Sequence, residues 1–279
     1  MTHIFNKMES GVWAFEDTQE IELPPPGYYE VRFSMRGRFL LTKNMTDERV
    51  VDTDALTGQV LSGLRTFWSS SQAYKRYQVP HKRGYLLYGP PGTGKSVLLR
   101  QIARQVITEG GYVIDAEDMM PSRWGATYQL LRERISAPLL FLCEDLDRFD
   151  DEEADMTHFL DGNVQVDGLA FVATTNHIED LSERMLRPSR LDELVHVGYP
   201  SGEARLAYLK NVRLGDESIE GWVEATEGMT YAQIKELFLS VHVLGVEFDS
   251  AMERLRGGGE GPKQRRPKLA DLTTAECEA

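Results

Sequence analysis

The chain contains little cysteine, no long hydrophobic run and no excess of positive charge. Its 279 residues include two cysteines, Cys143 and Cys277, too few for a disulfide-stabilised fold and typical of a reducing compartment. No stretch approaches the roughly 18 consecutive apolar residues that a membrane-spanning helix requires, and the first residues lack the pattern of a secretion signal. These absences predict a cytoplasmic protein without a membrane span.

The charged residues give the chain an acidic balance. Asp and Glu number 44 against 31 Lys and Arg, so the formal net charge is −13. A surface of this sign repels phosphate backbones, and the only basic run noted is the short stretch 263–266. A nucleic-acid partner is therefore not expected.

Short apolar segments alternate with helix-like patterns from residue 84 onward. The apolar segments, each a candidate strand, are 85–88, 112–114, 139–143, 169–173 and 194–197. Strands that alternate with helices are typical of a mostly parallel sheet covered on both faces. The sequence therefore predicts an α/β domain with a three-layer parallel sheet over residues 49–200.

The flanking segments have different patterns. Residues 1–48 form a predicted N-terminal extension, in which two short apolar runs around Arg36-Gly37 indicate a β-hairpin. Helix patterns at 202–213, 218–226 and 230–255 without intervening strands predict a small helical domain over 201–256. The polar remainder, 257–279, is predicted to be a disordered tail.

A glycine-rich loop lies between the first strand of the α/β domain and the helix that follows. It matches G-x-x-x-x-G-K-[ST] at every position. Its glycines allow successive backbone N–H groups to face phosphate oxygens, its lysine can reach the β- and γ-phosphates, and its hydroxyl can hold magnesium. The alternative is a turn without a ligand, which leaves Lys95 and Ser96 without a structural use. The predicted phosphate-binding residues are Gly89, Pro90, Pro91, Gly92, Thr93, Gly94, Lys95, Ser96 and Val97.

Carboxylates follow the apolar segment 139–143. Because ligands bind at the carboxyl ends of strands in open α/β sheets, Glu144 and Asp145 are expected beside the phosphates. By position, Glu144 is assigned to binding magnesium and Asp145 to orienting the attacking water. The residues predicted around the metal ion are Ser96, Glu144 and Asp145. A register slip would exchange the two carboxylates. The acidic residues over 147–155 are interpreted as a solvated loop and the first turn of a helix.

These motifs resemble the AAA family of ring-forming ATPases. Segment 171–177 is similar to the strand that ends in the family's sensor asparagine, 186–192 to its arginine-bearing segment, and 228–234 to the start of its lid helix. The resemblance covers roughly residues 49–255. It implies a P-loop fold with a helical lid over 201–256, ATP and Mg²⁺ as ligands, and ATP hydrolysis.

The resemblance also implies roles for single residues. Asn176 would bond to the attacking water or the γ-phosphate, and Arg190 would be the arginine finger that reaches ATP bound in the neighbouring subunit. A salt bridge with Asp192 or Glu193 is the alternative for Arg190, and Arg187 is a second candidate for the finger.

Three further residues are placed near the nucleotide by the resemblance alone. Val51 and Asp52 correspond to the family's adenine-side loop, and Ala232 corresponds to a lid residue near the nucleotide. Ser189 stands where the family usually has glycine, which raises the question of its backbone geometry.

Within the family, the chain is most similar to the ATPase domain of the mitochondrial Rieske-protein translocase group and its bacterial and phage relatives. The shared features include the Glu-Asp-x-Asp order at 144–147 and Val-Gly-Tyr at 197–199. The chain lacks that group's N-terminal membrane helix, so transport of the Rieske protein is not implied.

The expected function is that of a homo-oligomeric ring of six or seven subunits that remodels or translocates a protein. Alternatives are a nucleic-acid-associated ATPase, such as a loader or helicase-like enzyme, and a slow nucleotide-dependent switch or scaffold. The loop after the domain's second strand contains Trp124 beside Gly125, where many such rings carry a pore aromatic. Packing of Trp124 against the domain body is an equal alternative.

Overall fold

The computed structural model describes residues 4–7, 12–16, 24–34, 37–43, 54–161, 167–212 and 219–257. The strands are β1 (Ile4–Lys7), β2 (Val12–Glu16), β3 (Tyr28–Ser34), β4 (Gly37–Thr42), β5 (Lys82–Tyr88), β6 (Tyr112–Asp115), β7 (Leu139–Cys143), β8 (Leu169–Thr175) and β9 (Glu193–His196). The helices are α1 (Asp54–Ser69), α2 (Ser71–Tyr77), α3 (Lys95–Thr108), α4 (Trp124–Arg132), α5 (Glu153–Leu160), α6 (Gly202–Asn211), α7 (Ile219–Ala225), α8 (Tyr231–Phe238) and α9 (Phe248–Gly257). None of these helices combines the length and the apolar composition that crossing a membrane requires.

The strands form one sheet in the order β1-β2-β4-β3-β6-β7-β8-β5-β9. From β3 to β9 every neighbouring pair runs parallel, which makes six parallel strands. Because the connections between parallel strands must cross over the sheet, helices lie on its faces. The predicted α/β class with a parallel sheet is confirmed.

Strand β7 shows how the sequence places the two hydrophobic layers. Its side chains alternate between the faces, so Leu140 and Leu142 pack in the cluster that includes α1 and α3. Phe141 and Cys143 pack on the other face, in the cluster that includes α4 and α5. Both faces are covered, which explains why this strand is apolar at every position.

The N-terminal hairpin continues the sheet of the α/β domain. Strands β3 and β4 pair antiparallel, and β3 also pairs parallel with β6 through Tyr28↔Val113, Tyr29↔Ile114 and Glu30↔Asp115. The domain boundary predicted between residues 48 and 49 therefore does not separate two sheets, because the strands before and after it belong to one hydrogen-bonded sheet. The predicted turn at Arg36 lies outside the described residues.

The last four helices surround a small hydrophobic core of their own. Its buried members are Tyr208, Leu209, Trp222, Met229, Ile234, Leu237, Ala251 and Met252. The prediction of one helix over 230–255 is wrong, because α8 passes into a π-helical turn, Leu239–Val243, and Gly245 at φ +68° separates this turn from α9. The predicted tail, apart from Gly257, lies outside the described residues.

Trp124 is a core residue, so its interpretation as a pore-loop aromatic is wrong. Its side chain is 0% exposed, and its indole Nε1 donates to the carbonyl of Met119 at 2.8 Å. Its ring lies 5.6–5.7 Å from the rings of Phe149, Phe159 and Phe171. The ring belongs to the hydrophobic layer on the face of the sheet that α4 and α5 cover, so it is not accessible to a substrate.

Replacing Trp124 by alanine is expected to lower the free energy of unfolding by about 3–5 kcal/mol, because it leaves a cavity among three aromatic rings. Urea denaturation of the variant measures this loss. The neighbouring exposed Ser122→Ala serves as the control, with a change within about 0.5 kcal/mol. Unchanged stability in Trp124→Ala would contradict the packing role.

Candidate active site

A tight glycine loop joins β5 to α3. Gly92 has φ +79° and Gly94, which caps α3, has φ +100°, both in the left-handed region that favours glycine. A Cβ on Gly92 would also lie 2.8 Å from the Cβ of Ala232 and 2.9 Å from Oγ1 of Thr230. The loop therefore needs glycine both for its curvature and for the close approach of the helical domain.

The side chain of Lys95 occupies the inside of this loop. It is 6% exposed, and its Nζ donates to the carbonyl oxygens of Gly89 and Pro90, both at 2.8 Å. Burial lowers the pKa of Lys95, and the nearby charges of Asp145 and Asp147 oppose that shift. The ammonium group is thus held where phosphate oxygens can replace the two carbonyls as its partners.

Ser96, the next residue, contacts the first predicted carboxylate. Its hydroxyl donates to Oε2 of Glu144, the residue immediately after β7. A hydroxyl and a carboxylate oxygen are ligands that Mg²⁺ accepts. Among the described residues no group of three His, Cys, Asp or Glu side chains is arranged to hold a metal. A magnesium ion here would take its other ligands from water and phosphate, so the residues present fit Mg²⁺ bound together with a nucleotide.

Asp145 lies in a left-handed turn and faces the end of β8. Its φ is +48°, a conformation that Asp adopts more readily than most residues. Its backbone N–H donates to Oγ1 of Thr174 at 3.0 Å, and Nδ2 of Asn176 donates to its Oδ1 at 3.1 Å. Strands β7 and β8 are neighbours, so their carboxyl ends bring Asp145 and Asn176 together.

Asp147 also belongs to this site, although the sequence placed it in a solvated loop. Its Oδ1 accepts a hydrogen bond from Oγ1 of Thr175 at 2.6 Å, and its charge acts on Lys95. The signal that could have found it is its position, four residues after a buried strand and opposite a strand that ends in two threonines.

Arg190 is held within its own chain. Its Nε and Nη2 donate to the two carboxylate oxygens of Asp161 at 2.5 and 2.7 Å, and its Nη1 contacts the carbonyl of Arg184. The side chain is 10% exposed. The carboxylate of Asp161 raises the pKa of Arg190, and the guanidinium lowers the pKa of Asp161. Arg187, by contrast, is exposed.

The salt-bridge partners predicted for Arg190 have other contacts. Asp192 accepts the backbone N–H groups of Gly84 and Ser189, each at 2.9 Å. Glu193 pairs with Arg83 at 2.5 Å. Ser189 takes φ +77°, so it adopts the left-handed geometry of the glycine that it replaces. The alternative of an ion pair between Arg190 and Asp192 or Glu193 is therefore wrong, because Asp161 is the partner of Arg190.

The first turn of α8 closes over the glycine loop. The backbone N–H of Ala232 donates to the carbonyl of Gly92 at 3.2 Å, so Ala232 lies at the glycine loop, and its position near a nucleotide stays a prediction. Thr230 begins the helix by accepting the N–H of Gln233 at 3.3 Å, and the Gln233 side chain accepts the N–H of Thr230 in return. Val51 and Asp52 lie outside the described residues.

A model of a protein family described as "ATPase family associated with various cellular activities (AAA)" matches residues 85–199. These residues contain the glycine loop, both carboxylates, Asn176 and Arg190. Over residues 85–199 the chain is therefore similar to AAA ATPases. This similarity indicates ATP hydrolysis, and the glycine loop, the acids and the asparagine converge at the carboxyl ends of β5, β7 and β8.

The chain is also similar to several proteins that are longer than it is. The chain is 27% identical to an "ATP-dependent zinc metalloprotease FtsH 2" from a Thermoanaerobacter species, over 90% of this chain and 54% of the relative. It is 27% identical to a "Proteasome-activating nucleotidase" from Methanoculleus marisnigri, over 64% of this chain and 49% of that protein. It is 29% identical to the same-named protein from Methanosarcina mazei, over 66% and 50%. The chain thus spans about half the length of these relatives.

Proposed function

We propose that the chain is a magnesium-dependent ATPase that acts as a homo-oligomeric ring of six or seven subunits to remodel or translocate a protein. The observation that carries the proposal is the convergence of Lys95, the Ser96–Glu144 pair and the Asp145–Asn176 pair at one edge of the sheet. The names of the relatives, a metalloprotease and proteasome-activating nucleotidases, support a protein substrate. The two cysteines favour a reducing compartment, and we place the protein in the cytoplasm.

Each contact in the site supports one role. Lys95 and the N–H groups of the glycine loop bind the phosphates, while Asp145, oriented by Asn176 and Thr174, directs a water molecule. Magnesium bound beside Ser96 and Glu144 would neutralise phosphate charge. The close approach of Ala232 to Gly92 lets the helical domain cover the nucleotide and exclude bulk water.

We also propose that the chain groups with the ATPase domains of the Rieske-protein translocase group and its relatives. The Glu-Asp-x-Asp order supports it, since Glu144, Asp145 and Asp147 all lie in the site. A nucleic-acid substrate is disfavoured by the net charge of −13.

Ring assembly can be tested through Arg190, because a finger acts in the neighbouring subunit. ATP turnover per chain is expected to rise with protein concentration until rings are complete. Arg190→Ala is expected to lower that turnover by about 100-fold, because it removes a cation from the transition state. Steady-state phosphate release across a concentration series measures both effects.

The control follows from the contact between Arg190 and Asp161. Asp161→Asn weakens the same ion pair but keeps the arginine, so it is expected to retain more activity than Arg190→Ala. Mixing Arg190→Ala with Lys95→Met chains is expected to restore activity, since one supplies an intact site and the other an intact finger. Equal losses in Arg190→Ala and Asp161→Asn, with no restoration on mixing, would show that the pair is structural. The exposed Arg187 would then be the remaining candidate for the finger.

A further inference from the structure

A buried carboxylate joins the N-terminal hairpin to the ATPase domain. Asp115, at the carboxyl end of β6, is 5% exposed. Its Oδ2 accepts a hydrogen bond from the hydroxyl of Tyr28 at 2.8 Å and contacts Nζ of Lys43. Its Oδ1 accepts the backbone N–H of Glu117 at 2.9 Å. Of the three partners that this carboxylate has in the described part of the chain, two therefore come from the hairpin.

The protonation states of the hairpin residues suit these contacts. Burial raises the pKa of the Tyr28 phenol far above its usual range, and the charge of Asp115 adds to that shift. Burial alone would lower the pKa of Lys43, but its hydrogen bond to Asp115 and the Asp115 charge outweigh burial and raise it. The phenol is thus a neutral donor and the ammonium a cation. A buried carboxylate needs such partners, because an uncompensated charge is costly to bury.

The contacts continue from Asp115 to the turn of the catalytic acid. Glu117, whose backbone bonds to Asp115, accepts a hydrogen bond from Nη1 of Arg148 at 3.2 Å. The backbone N–H of Arg148 in turn donates to the carbonyl of Asp145 at 3.1 Å. Asp145 is the residue in the left-handed turn that faces Asn176. A continuous series of contacts therefore runs from the hairpin to the backbone of Asp145, the residue proposed to direct water.

Arg148 depends strongly on Glu117 for its position. Its Nε and Nη2 are buried and have no hydrogen-bond partner in the described part of the chain, so Nη1 carries its only polar side-chain bond there. Its guanidinium also lies over the ring of Phe149 at 4.7 Å. A shift of Glu117 would therefore move Arg148, and with it the turn at Asp145.

We propose that Asp115 is a positioning residue for Asp145, and that Tyr28 and Lys43 of the N-terminal hairpin control the rate of ATP hydrolysis through it. The proposal rests on the proposed role of Asp145 as the carboxylate that directs water. The contacts of Asp115 do not include the glycine loop, whose Lys95 bonds to Gly89 and Pro90. The hairpin is thus expected to set the rate of the chemical step and to leave nucleotide affinity alone.

The test compares kcat with KM in variants along this series. Asp115→Asn and Lys43→Met are expected to lower kcat by about tenfold, because small displacements of a catalytic group are costly in rate. KM for ATP and the Kd of a fluorescent ADP analogue are expected to stay within about twofold. Lys43→Arg keeps the cation and should retain most of the activity. Tyr28→Phe removes a single hydroxyl and should lower kcat less, which gives a variant that folds if the others do not.

A matched control lies on the same hairpin. Arg32 is exposed and pairs with Glu30 and Asp118, outside the series, so Arg32→Gln is expected to leave kcat unchanged. A double-mutant cycle of Lys43→Met and Arg148→Met is expected to be non-additive, because both act through the turn at Asp145.

Strictly additive effects on kcat would overturn the proposal, and so would an Asp115→Asn enzyme whose loss lies in KM at unchanged kcat. Asp145→Asn separates this failure from failure of the proposed function. If Asp145→Asn abolishes turnover while the Asp115, Lys43 and Tyr28 variants are fully active, the coupling is wrong and the role of Asp145 stands. If Asp145→Asn retains full turnover, the proposed role itself is wrong.

Discussion

Lys95→Met is expected to lower kcat/KM for ATP by about 1,000-fold or more, because one ammonium group contacts the phosphates in both the ground state and the transition state. The structure places this ammonium inside the loop, within 2.8 Å of the carbonyls of Gly89 and Pro90. Methionine keeps a comparable chain length and removes the charge. Titration with a fluorescent adenine nucleotide and steady-state phosphate release measure binding and turnover separately.

The control for this change lies on the same helix. Arg104 is exposed on α3, so Arg104→Met removes a cation from the helix without touching the loop. It is expected to leave both binding and turnover intact. A Lys95→Met protein that still bound the nucleotide and hydrolysed it at the normal rate would contradict the assignment of this loop as the phosphate site.

Asp145→Asn is expected to lower kcat by about 100- to 1,000-fold while ATP remains bound, because it removes the carboxylate that directs water. Asparagine also adopts the left-handed conformation readily, so the turn at φ +48° should persist. The variant should therefore hold ATP unhydrolysed. Single-turnover hydrolysis and retention of labelled ATP on the protein measure the two properties.

Glu144→Gln is the matched variant, since it changes the adjacent carboxylate to an amide in the same way. Because Glu144 contacts Ser96, this variant is expected to raise the magnesium concentration required for half-maximal activity. If the two carboxylates had exchanged roles, Asp145→Asn would show the shifted magnesium requirement and Glu144→Gln the trapped ATP. The ATP-trapped variant is also the bait for capturing a client protein.

The site residues that the sequence predicted belong to short contiguous motifs. The eight residues from Gly89 to Ser96 form their loop locally, since the glycines allow its backbone geometry and the lysine follows in the first turn of the helix. Glu144 and Asn176 each follow an apolar strand, and parallel strands bring their carboxyl ends to one edge. Local geometry and sheet polarity together were enough to place these groups near one another.

The contacts that the sequence did not predict depend on residues far apart in the chain. Arg190 and Asp161 are 29 positions apart. Asp192 is closer to Arg190 in the sequence, but its carboxylate accepts the backbone N–H groups of Gly84 and Ser189. The sequence Trp124-Gly125 is compatible with an exposed loop and with the core, because burial of the ring depends on the residues that pack against it. That information lies in Phe149, Phe159 and Phe171, which no local pattern connects to it.

The parallel α/β architecture, the glycine loop and the acids at the end of β7 are predictable from the sequence alone, because each is a property of a contiguous segment and its periodicity. The folded structure was needed to establish that β3 joins the sheet beside β6 and that Asp115 bonds to Tyr28 and Lys43, which lie 87 and 72 positions away. It also decided that Arg190 is paired with Asp161. Partners of a charge are selected by proximity in the folded chain, and the number of acids within reach of any one arginine or lysine is too large for sequence spacing to identify the right one.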